Sequence, residues 1–99
     1  MRCRFSVLAK RDLRSILRFV GQDSLARAEA LVDRIEVQAQ KVANHPLAYR
    51  ARPDLGEHVR VCPFERYLIL YRTQDDETIL VLRVLHSAMD IGGQLEADP

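Results

Sequence analysis

The spacing of apolar residues changes along this chain, and that change limits the fold more than any other feature of the sequence. In the first half, apolar residues recur every three or four positions, as on one face of a helix. The first stripe consists of Leu13, Ile16, Leu17 and Val20, and the second of Ala28, Leu31, Val32, Ile35, Ala39 and Val42. In the second half, two almost wholly apolar runs flank a polar turn, a pattern typical of buried strands.

The boundaries of the helices follow from residues that start or stop a helix. The first helix is predicted from Lys10 to Val20, and Gly21 ends it because glycine adopts the left-handed cap conformation at little cost. Asp23 and Ser24 are candidate N-caps for the second helix. That helix runs for about 20 residues, or about 30 Å, until Asn44-His45-Pro46.

Strands are predicted before and after the helices. Residues 3–8 alternate polar and apolar, which predicts a short strand with Phe5 and Val7 on its buried face. Residues 44–56 indicate an irregular connector. The alternating run 58–62 predicts a strand that Pro63 ends, because proline lacks the N–H that a ladder needs.

The last two apolar runs, 67–71 and 78–86, predict an antiparallel hairpin around the polar turn 74–77. The order is therefore strand, helical hairpin, then three antiparallel strands, an α+β class in which the helices cover one face of a small antiparallel sheet. A chain of 99 residues fits a single domain over 1–99, and we expect residues 91–99 to form a flexible tail.

Three further features point to a cytoplasmic protein. No run of about 18 uncharged apolar residues predicts a membrane span. The first residues lack the apolar segment of a signal peptide. The two cysteines, Cys3 and Cys62, form no disulfide framework and are interpreted as packed thiols.

The formal net charge of +1 conceals a gradient along the chain. Residues 1–18 carry six bases and one acid, for a net charge of +5, whereas residues 73–99 carry one base and six acids, for a net charge of −5. Proteins that rely on non-specific attraction to phosphates are usually basic overall. The asymmetry predicts either a charged macromolecular partner or an ordinary solvated surface.

Candidate chemistry is sparse. The histidines His45, His58 and His86 lack the spacing of metal ligands, so we expect no metal and no cofactor. Arg83 lies within the last apolar run, three residues before His86, which predicts that the two side chains lie on opposite sides of the strand. The structural alternative is that Arg83 pairs with a carboxylate at the edge of the core and His86 bonds the backbone.

Basic and aromatic residues recur on the other predicted strands. Tyr67 and Tyr71 share one strand face, and Arg60 and Arg72 also lie on strands. Such groups can bind a nucleic-acid backbone and stack on bases, or they can form an outer rim.

These segments together resemble the ParE branch of the RelE/ParE superfamily of bacterial toxins. The matching stretches are Leu8 to Leu13 with Ile16, Asn44 to Pro46, His58 to Val61, Tyr67 to Arg72, and Arg83 to His86 with Asp90. The resemblance implies the fold given above and the toxin of a type II toxin–antitoxin module, neutralised by direct binding of a cognate antitoxin. It further implies a ribbon-helix-helix antitoxin of ParD type and DNA gyrase as the target, without direct sequence-specific binding to nucleic acid.

The resemblance also implies two sets of site residues. The target-binding set comprises Arg60, Tyr71, Arg72, Arg83, His86 and Asp90. The antitoxin-binding set lies on the first helix and comprises Leu13, Arg14, Leu17, Arg18 and Val20.

The RelE branch of the superfamily cuts mRNA on the ribosome, and this sequence departs from its pattern. Leu68 stands where that branch has a basic residue, and Ser87, Ala88 and Met89 follow the last strand without a basic or aromatic residue. A nuclease would have only His86, Arg60 and Arg83 for its chemistry. The sequence therefore favours a gyrase-poisoning binder. The alternatives are an mRNA endoribonuclease or a degenerate, non-toxic relative, since Met89 replaces an arginine common in ParE toxins.

Overall fold

The computed structural model describes residues 1–88 and has the predicted order of elements. The strands are β1 (Arg2–Phe5), β2 (Arg60–Phe64), β3 (Tyr67–Asp75) and β4 (Thr78–His86), the helices are α1 (Val7–Gly21) and α2 (Leu25–Asn44), and a short 3₁₀ helix covers Pro53–Leu55. The predicted α+β class is confirmed. The expectations for Met89, Asp90 and the tail 91–99 concern residues outside the described part.

The start of α1 corrects the first predicted strand. Ser6 is the N-cap of α1, and its hydroxyl accepts a hydrogen bond from the backbone N–H of Ala9 at 3.0 Å. The same hydroxyl donates to the carbonyl of Leu82 in β4 at 2.8 Å. The strand therefore ends at Phe5, and Val7, predicted to be buried in that strand, is an exposed helical residue. A capping serine overrides the alternating pattern because it satisfies an N–H that the helix leaves unpaired.

The turn between the helices confirms one cap and corrects another. Ser24 caps α2 by accepting the N–H of Arg27, as predicted. Gly21 is the last residue of α1, but the C-cap residue Gln22 has φ −61° and ψ −34°, so the predicted left-handed glycine cap is wrong. The helix ends instead because N–H groups of Gln22, Asp23 and Ser24 bond back to its last carbonyls.

The sheet has the order β1-β4-β3-β2 and is mixed rather than antiparallel. The three consecutive strands β2, β3 and β4 are antiparallel, as predicted. β1 instead pairs with β4 in parallel, with Phe5 opposite Val81. The helical hairpin between β1 and the later strands is long enough to return the chain to the same end of the sheet, which a parallel neighbour requires.

β2 extends past the residue predicted to end it. Pro63 lies within β2 opposite Leu68, and the strand runs to Phe64. β2 is an edge strand, so the N–H that proline lacks is not needed by another strand. At its start the strand is also shorter than predicted, because His58 has a positive φ of 63° and breaks the ladder.

An extra residue in β4 changes which side chains face the helices. Leu70 pairs with Arg83 but Tyr71 pairs with Val81, so Leu82 is unpaired. Before this bulge Ile79 and Val81 belong to the core beneath the helices, and after it Val84 does. Leu85 packs instead in a smaller cluster with Val61 and Leu70 on the opposite face. The alternation of the strand therefore shifts by one residue just where Arg83 lies.

Tyr71 is the largest side chain that is fully buried in this core. Its hydroxyl donates a hydrogen bond of 2.7 Å to the carbonyl of Pro46, which fixes the connector after α2 against the sheet. Burial raises the pKa of Tyr71 to about 12, because the phenolate would lose its hydration.

Replacing Tyr71 with phenylalanine should reveal both the hydrogen bond and the raised pKa. Below pH 10 the variant should be less stable by about 1 kcal/mol, the usual contribution of such a bond. Between pH 10 and about 12 the unfolded wild type releases the Tyr71 proton while the folded protein keeps it, so wild-type stability falls. The difference in free energy of unfolding between the proteins, measured by denaturant titration, should shrink over this range. A difference independent of pH would contradict the assignment.

Candidate functional site

A buried ion pair between Asp12 of α1 and Arg83 of β4 lies at the centre of the candidate site. The Nε and Nη2 atoms of Arg83 donate to Oδ2 and Oδ1 of Asp12 at 2.8 and 3.0 Å. Oδ2 also accepts the backbone N–H of Val84 at 2.9 Å. The side chains are only 13% and 10% exposed. This bidentate geometry confirms the sequence-based alternative in which Arg83 pairs with a carboxylate at the edge of the core.

A cavity of about 430 Å³ opens beside this ion pair. Its lining combines one face of α1 with the end of the sheet: Asp12, Ser15, Ile16, Phe19, Tyr67, Arg83, Val84, Leu85 and His86. Most of the lining surface is apolar, and Phe19 is 74% exposed at the rim. An exposed aromatic residue beside an apolar cavity is typical of a binding surface.

Arg83 and His86 line this same cavity although their positions lie on opposite sides of the strand, as predicted: Arg83 pairs with Leu70 of the uncovered face and His86 with Tyr67 of the face under the helices. The bulge at Leu82 precedes both residues, and Arg83 borders the cavity because its guanidinium bonds Asp12 of α1. Tyr67 faces His86 across the strands, with their rings in an edge-to-face arrangement at a centroid distance of 5.5 Å.

The hydrogen bond of His86 restricts what its ring can do. Nδ1 accepts the backbone N–H of Ala88 at 3.2 Å, which confirms that His86 bonds the backbone. A neutral ring with Nδ1 as acceptor carries its proton on Nε2. In this arrangement the ring presents a donor, not a free basic nitrogen, to a group bound in the cavity.

The other proposed target-binding residues lie away from this cavity. Arg60 faces Tyr71 and donates to the carbonyl of Tyr49 at 2.6 Å, about 13 Å along the sheet from the row of Tyr67 and His86. Arg72 is exposed but lies on the sheet face that the helices leave uncovered. The structure therefore groups Arg83 with His86 and separates them from the other two arginines.

Tyr71 cannot contact a target from its position in the core. The prediction that Tyr67 and Tyr71 share one strand face is confirmed, but this face lies under the helices. Tyr71 has no exposed surface, and its hydroxyl is already bonded to Pro46. Its assignment to the target-binding set is corrected: it is a structural residue.

The predicted antitoxin-binding residues of α1 border three separate surface depressions. Leu13, Arg14 and Leu17 line a shallow groove between α1 and α2 with a volume of about 250 Å³. Leu17 also borders a neighbouring depression with Arg18. Val20 belongs to the same helical stripe as Leu13 and Leu17, but it borders a different cavity, which Phe19, Tyr67 and His86 also line.

The two cysteines are free thiols that pack in the core beneath the helices. Burial raises the pKa of Cys3 to about 11, so its thiol is a poor nucleophile. Cys62 is fully buried, and its sulfur accepts a hydrogen bond from Gln38. Both observations agree with packed thiols.

Neither a metal site nor a membrane-spanning helix is found among residues 1–88. Within residues 1–88, no group of three or more His, Cys, Asp or Glu side chains is placed to hold a metal ion. Neither of the two α-helices in this part of the chain is long and apolar enough to cross a membrane.

The sequence contained a signal for the cavity that the prediction missed. Asp12, Ser15, Ile16 and Phe19 are spaced as i, i+3, i+4 and i+7, and together they form the α1 side of the cavity. Phe19, which follows Arg18 on the border of the apolar stripe, indicates that these four residues form a second helical face. The ion-pair partner of Arg83 lies on the same face.

Comparisons with solved structures define the class of fold. The chain is similar to the chromosomal ParDE toxin–antitoxin system from P. aeruginosa, with a TM-score of 0.72 and 21% identity over 87% of this chain and 95% of that one. It is also similar to the toxin–antitoxin complex RelBE2 from Mycobacterium tuberculosis, with a TM-score of 0.64 and 24% identity over 86% and 95% of the chains. These likenesses establish the RelE/ParE-like fold. No curated protein matches the chain.

A match to a family model identifies the branch. The model of the ParE toxin of the type II toxin–antitoxin system parDE matches residues 3–91. The chain belongs to the ParE toxin family, as the sequence motifs predicted.

Removing Asp12 should test how strongly the site depends on the ion pair. Asp12→Ala leaves Arg83 and the N–H of Val84 without this carboxylate, and the free energy of unfolding should fall by about 3–5 kcal/mol. Asp12→Leu with Arg83→Met removes both charges and should recover much of that loss. Arg34→Gln, which breaks an exposed ion pair with Glu65, is the matched control and should have little effect.

Denaturant titration of the wild type, Asp12→Ala, the Asp12→Leu/Arg83→Met double variant and Arg34→Gln checks this prediction. If Asp12→Ala and the control lose similar stability, the ion pair does not stabilise the site.

Proposed function

We propose that this chain is the toxin of a type II toxin–antitoxin module, that it acts in the cytoplasm, and that it arrests growth by poisoning DNA gyrase. Membership of the ParE family supports the toxin class. The observation that carries the choice of target is the cavity beside the Asp12–Arg83 ion pair. Its lining is largely apolar, and three of its polar residues, Asp12, Arg83 and His86, already make hydrogen bonds within the protein.

These contacts make phosphodiester cleavage the weaker candidate. Cleavage of RNA needs a base, an acid and cations placed on the phosphate. Arg83 is paired with Asp12, His86 uses Nδ1 for a backbone contact, and Arg60 is bonded to the carbonyl of Tyr49. The three residues left to a nuclease are therefore engaged, and Arg60 lies far from the other two.

The same surface is suited to binding a protein. Phe19 is exposed at the rim, Tyr67 and His86 pack edge to face in the same cavity, and Arg83 is held by its ion pair with Asp12. Aromatic residues and arginine contribute most of the energy in many interfaces, especially when they are fixed before binding. We propose that Phe19, Tyr67, Arg83 and His86 contact gyrase, with Asp90 and the exposed Arg72 as additional predicted contacts.

We further propose that a cognate antitoxin neutralises the toxin by direct binding on α1. The similar structures from P. aeruginosa and M. tuberculosis are both toxin–antitoxin systems, which supports such a partner. The groove lined by Leu13, Arg14 and Leu17 fits an amphipathic helix, with acidic residues of the partner near the arginines. A ribbon-helix-helix protein of ParD type is the expected antitoxin.

Purified toxin should trap gyrase on cleaved DNA. Incubation with gyrase, ATP and supercoiled plasmid should, after denaturation and protease treatment, yield linear plasmid in proportion to the toxin added. His86→Ala tests the nuclease alternative, because it removes the only imidazole in the cavity. In cells expressing the toxin without antitoxin, primer extension should show no discrete cuts in mRNA.

Two outcomes would contradict the gyrase assignment. Cuts within codons that disappear in His86→Ala would identify an mRNA endoribonuclease. Normal growth despite abundant folded protein would identify a degenerate relative that only binds its antitoxin.

Substitution in the α1–α2 groove should weaken neutralisation. Leu17→Glu places a charge in the groove and should weaken binding to the antitoxin encoded beside the toxin at least about tenfold. Val37→Glu is the matched control, because Val37 is exposed on α2. Affinity is measured by titration calorimetry, after thermal melting has established that both variants are folded. Equal affinity of the two variants would place the antitoxin elsewhere.

A further inference from the structure

Two arginines flank a leucine on the sheet face that the helices leave uncovered. In register, Arg4 of β1 lies opposite Leu80 of β4, and Leu80 lies opposite Arg72 of β3. Residues in register on neighbouring strands point to the same face. The adjacent residues Cys3, Phe5 and Tyr71 pack into the core beneath the helices, so the row of Arg4, Leu80 and Arg72 faces the other way.

Arg2 extends this row along the edge of the sheet. It lies two residues before Arg4 on the same face of β1, about 7 Å away along the strand. The Cα atoms of Arg4 and Arg72 are separated by β4, a distance of about 10 Å. Arg2, Arg4 and Arg72, which are distant in the sequence, therefore form one group on the sheet. We call this group the arginine strip.

The charge of the strip is not balanced by ion pairs in the described structure. Arg2, Arg4 and Arg72 are exposed, and none of them forms a salt bridge with another residue of the range 1–88. Within the described range, acids adjoin only the Arg2 end of the strip: Asp75 lies in register with Arg2 across Thr78, its Oδ1 accepts the N–H of Glu77, and the Glu77 carbonyl accepts the N–H of Arg2. The strip is therefore a region of positive charge on a chain whose total charge is near zero.

We propose that the arginine strip binds the phosphate backbone of duplex DNA. Planar guanidinium groups match phosphate oxygens with two parallel hydrogen bonds, and exposed arginines attract phosphates without reading the sequence. An acidic peptide could pair with the free edge of β1, but it would also need apolar anchors to gain comparable affinity. Between the arginines this row offers only the half-buried Leu80.

This inference rests on the proposed function only for the source of the DNA, which would be the duplex held by gyrase. The strip lies on the opposite sheet face from the cavity around Phe19, so the two surfaces can contact different parts of one gyrase–DNA complex. Binding by the strip itself is measured without gyrase, which separates the two proposals.

The test is fluorescence anisotropy of a labelled 20-base-pair duplex of random sequence, titrated with full-length toxin over a range of salt concentrations from about 50 mM upward. Three phosphate contacts predict a slope of log K against log salt of about −2.7. Arg4→Gln with Arg72→Gln should reduce the slope to about −1 and weaken binding at least tenfold at low salt. Arg11→Gln with Arg27→Gln removes the same charge from exposed helical positions and should bind like wild type.

Several results would overturn the proposal. Absence of salt-dependent binding by wild type would do so, as would equal weakening in both double variants, which would mean that only net charge matters. Polyglutamate that binds through Arg4 and Arg72 when DNA does not would identify an acidic protein as the partner. If the toxin fails to bind the duplex but still traps gyrase, only the strip proposal is wrong. If the toxin binds the duplex but does not trap gyrase, only the gyrase target is wrong.

Discussion

The Asp12–Arg83 ion pair is the contact on which the candidate site of this ParE-family protein depends. It joins α1 to β4, elements separated by about 70 residues, and Asp12 also accepts the N–H of Val84. Two charges removed from water are stable only when their geometry is close to ideal, so the pair fixes the helix against the strand at one register. Asp12 and Arg83 themselves form part of the wall of the cavity that Phe19, Tyr67 and His86 also line.

Periodicity alone was enough to predict most of the fold. Both helical stripes and the long strand β4 are as the pattern indicated, because each buries a continuous apolar face. The errors arise where a single contact outweighs the pattern. Ser6 caps a helix where alternation predicted a strand, and Pro63 is tolerated because β2 is an edge strand. The parallel pairing of β1 depends on how distant segments meet, which no local pattern encodes.

The site was less predictable than the fold because its residues meet through tertiary structure. Arg83 and His86 border one cavity although alternation places them on opposite sides of β4, because Arg83 bonds Asp12 of the neighbouring helix. Tyr71, which resembled a surface aromatic, is buried because its strand face lies under the helices. The exposed Phe19 was not predicted as a site residue, because it lies outside the core stripe, on a second face of the helix. The distribution of charge along the sequence does not predict the arginine strip, because only the strand register shows that Arg4 and Arg72 lie near each other.

The central claim is that this ParE-family toxin acts by binding through the surface around Phe19 and not by cutting RNA. The most direct measurement compares wild type with Phe19→Ala in the amount of toxin needed to trap gyrase on cleaved plasmid. Because Phe19 is 74% exposed, the variant should melt as wild type does. The account predicts that the variant needs at least about ten times more toxin to trap gyrase, as for loss of an aromatic anchor. Trapping at the same concentration as wild type would contradict it.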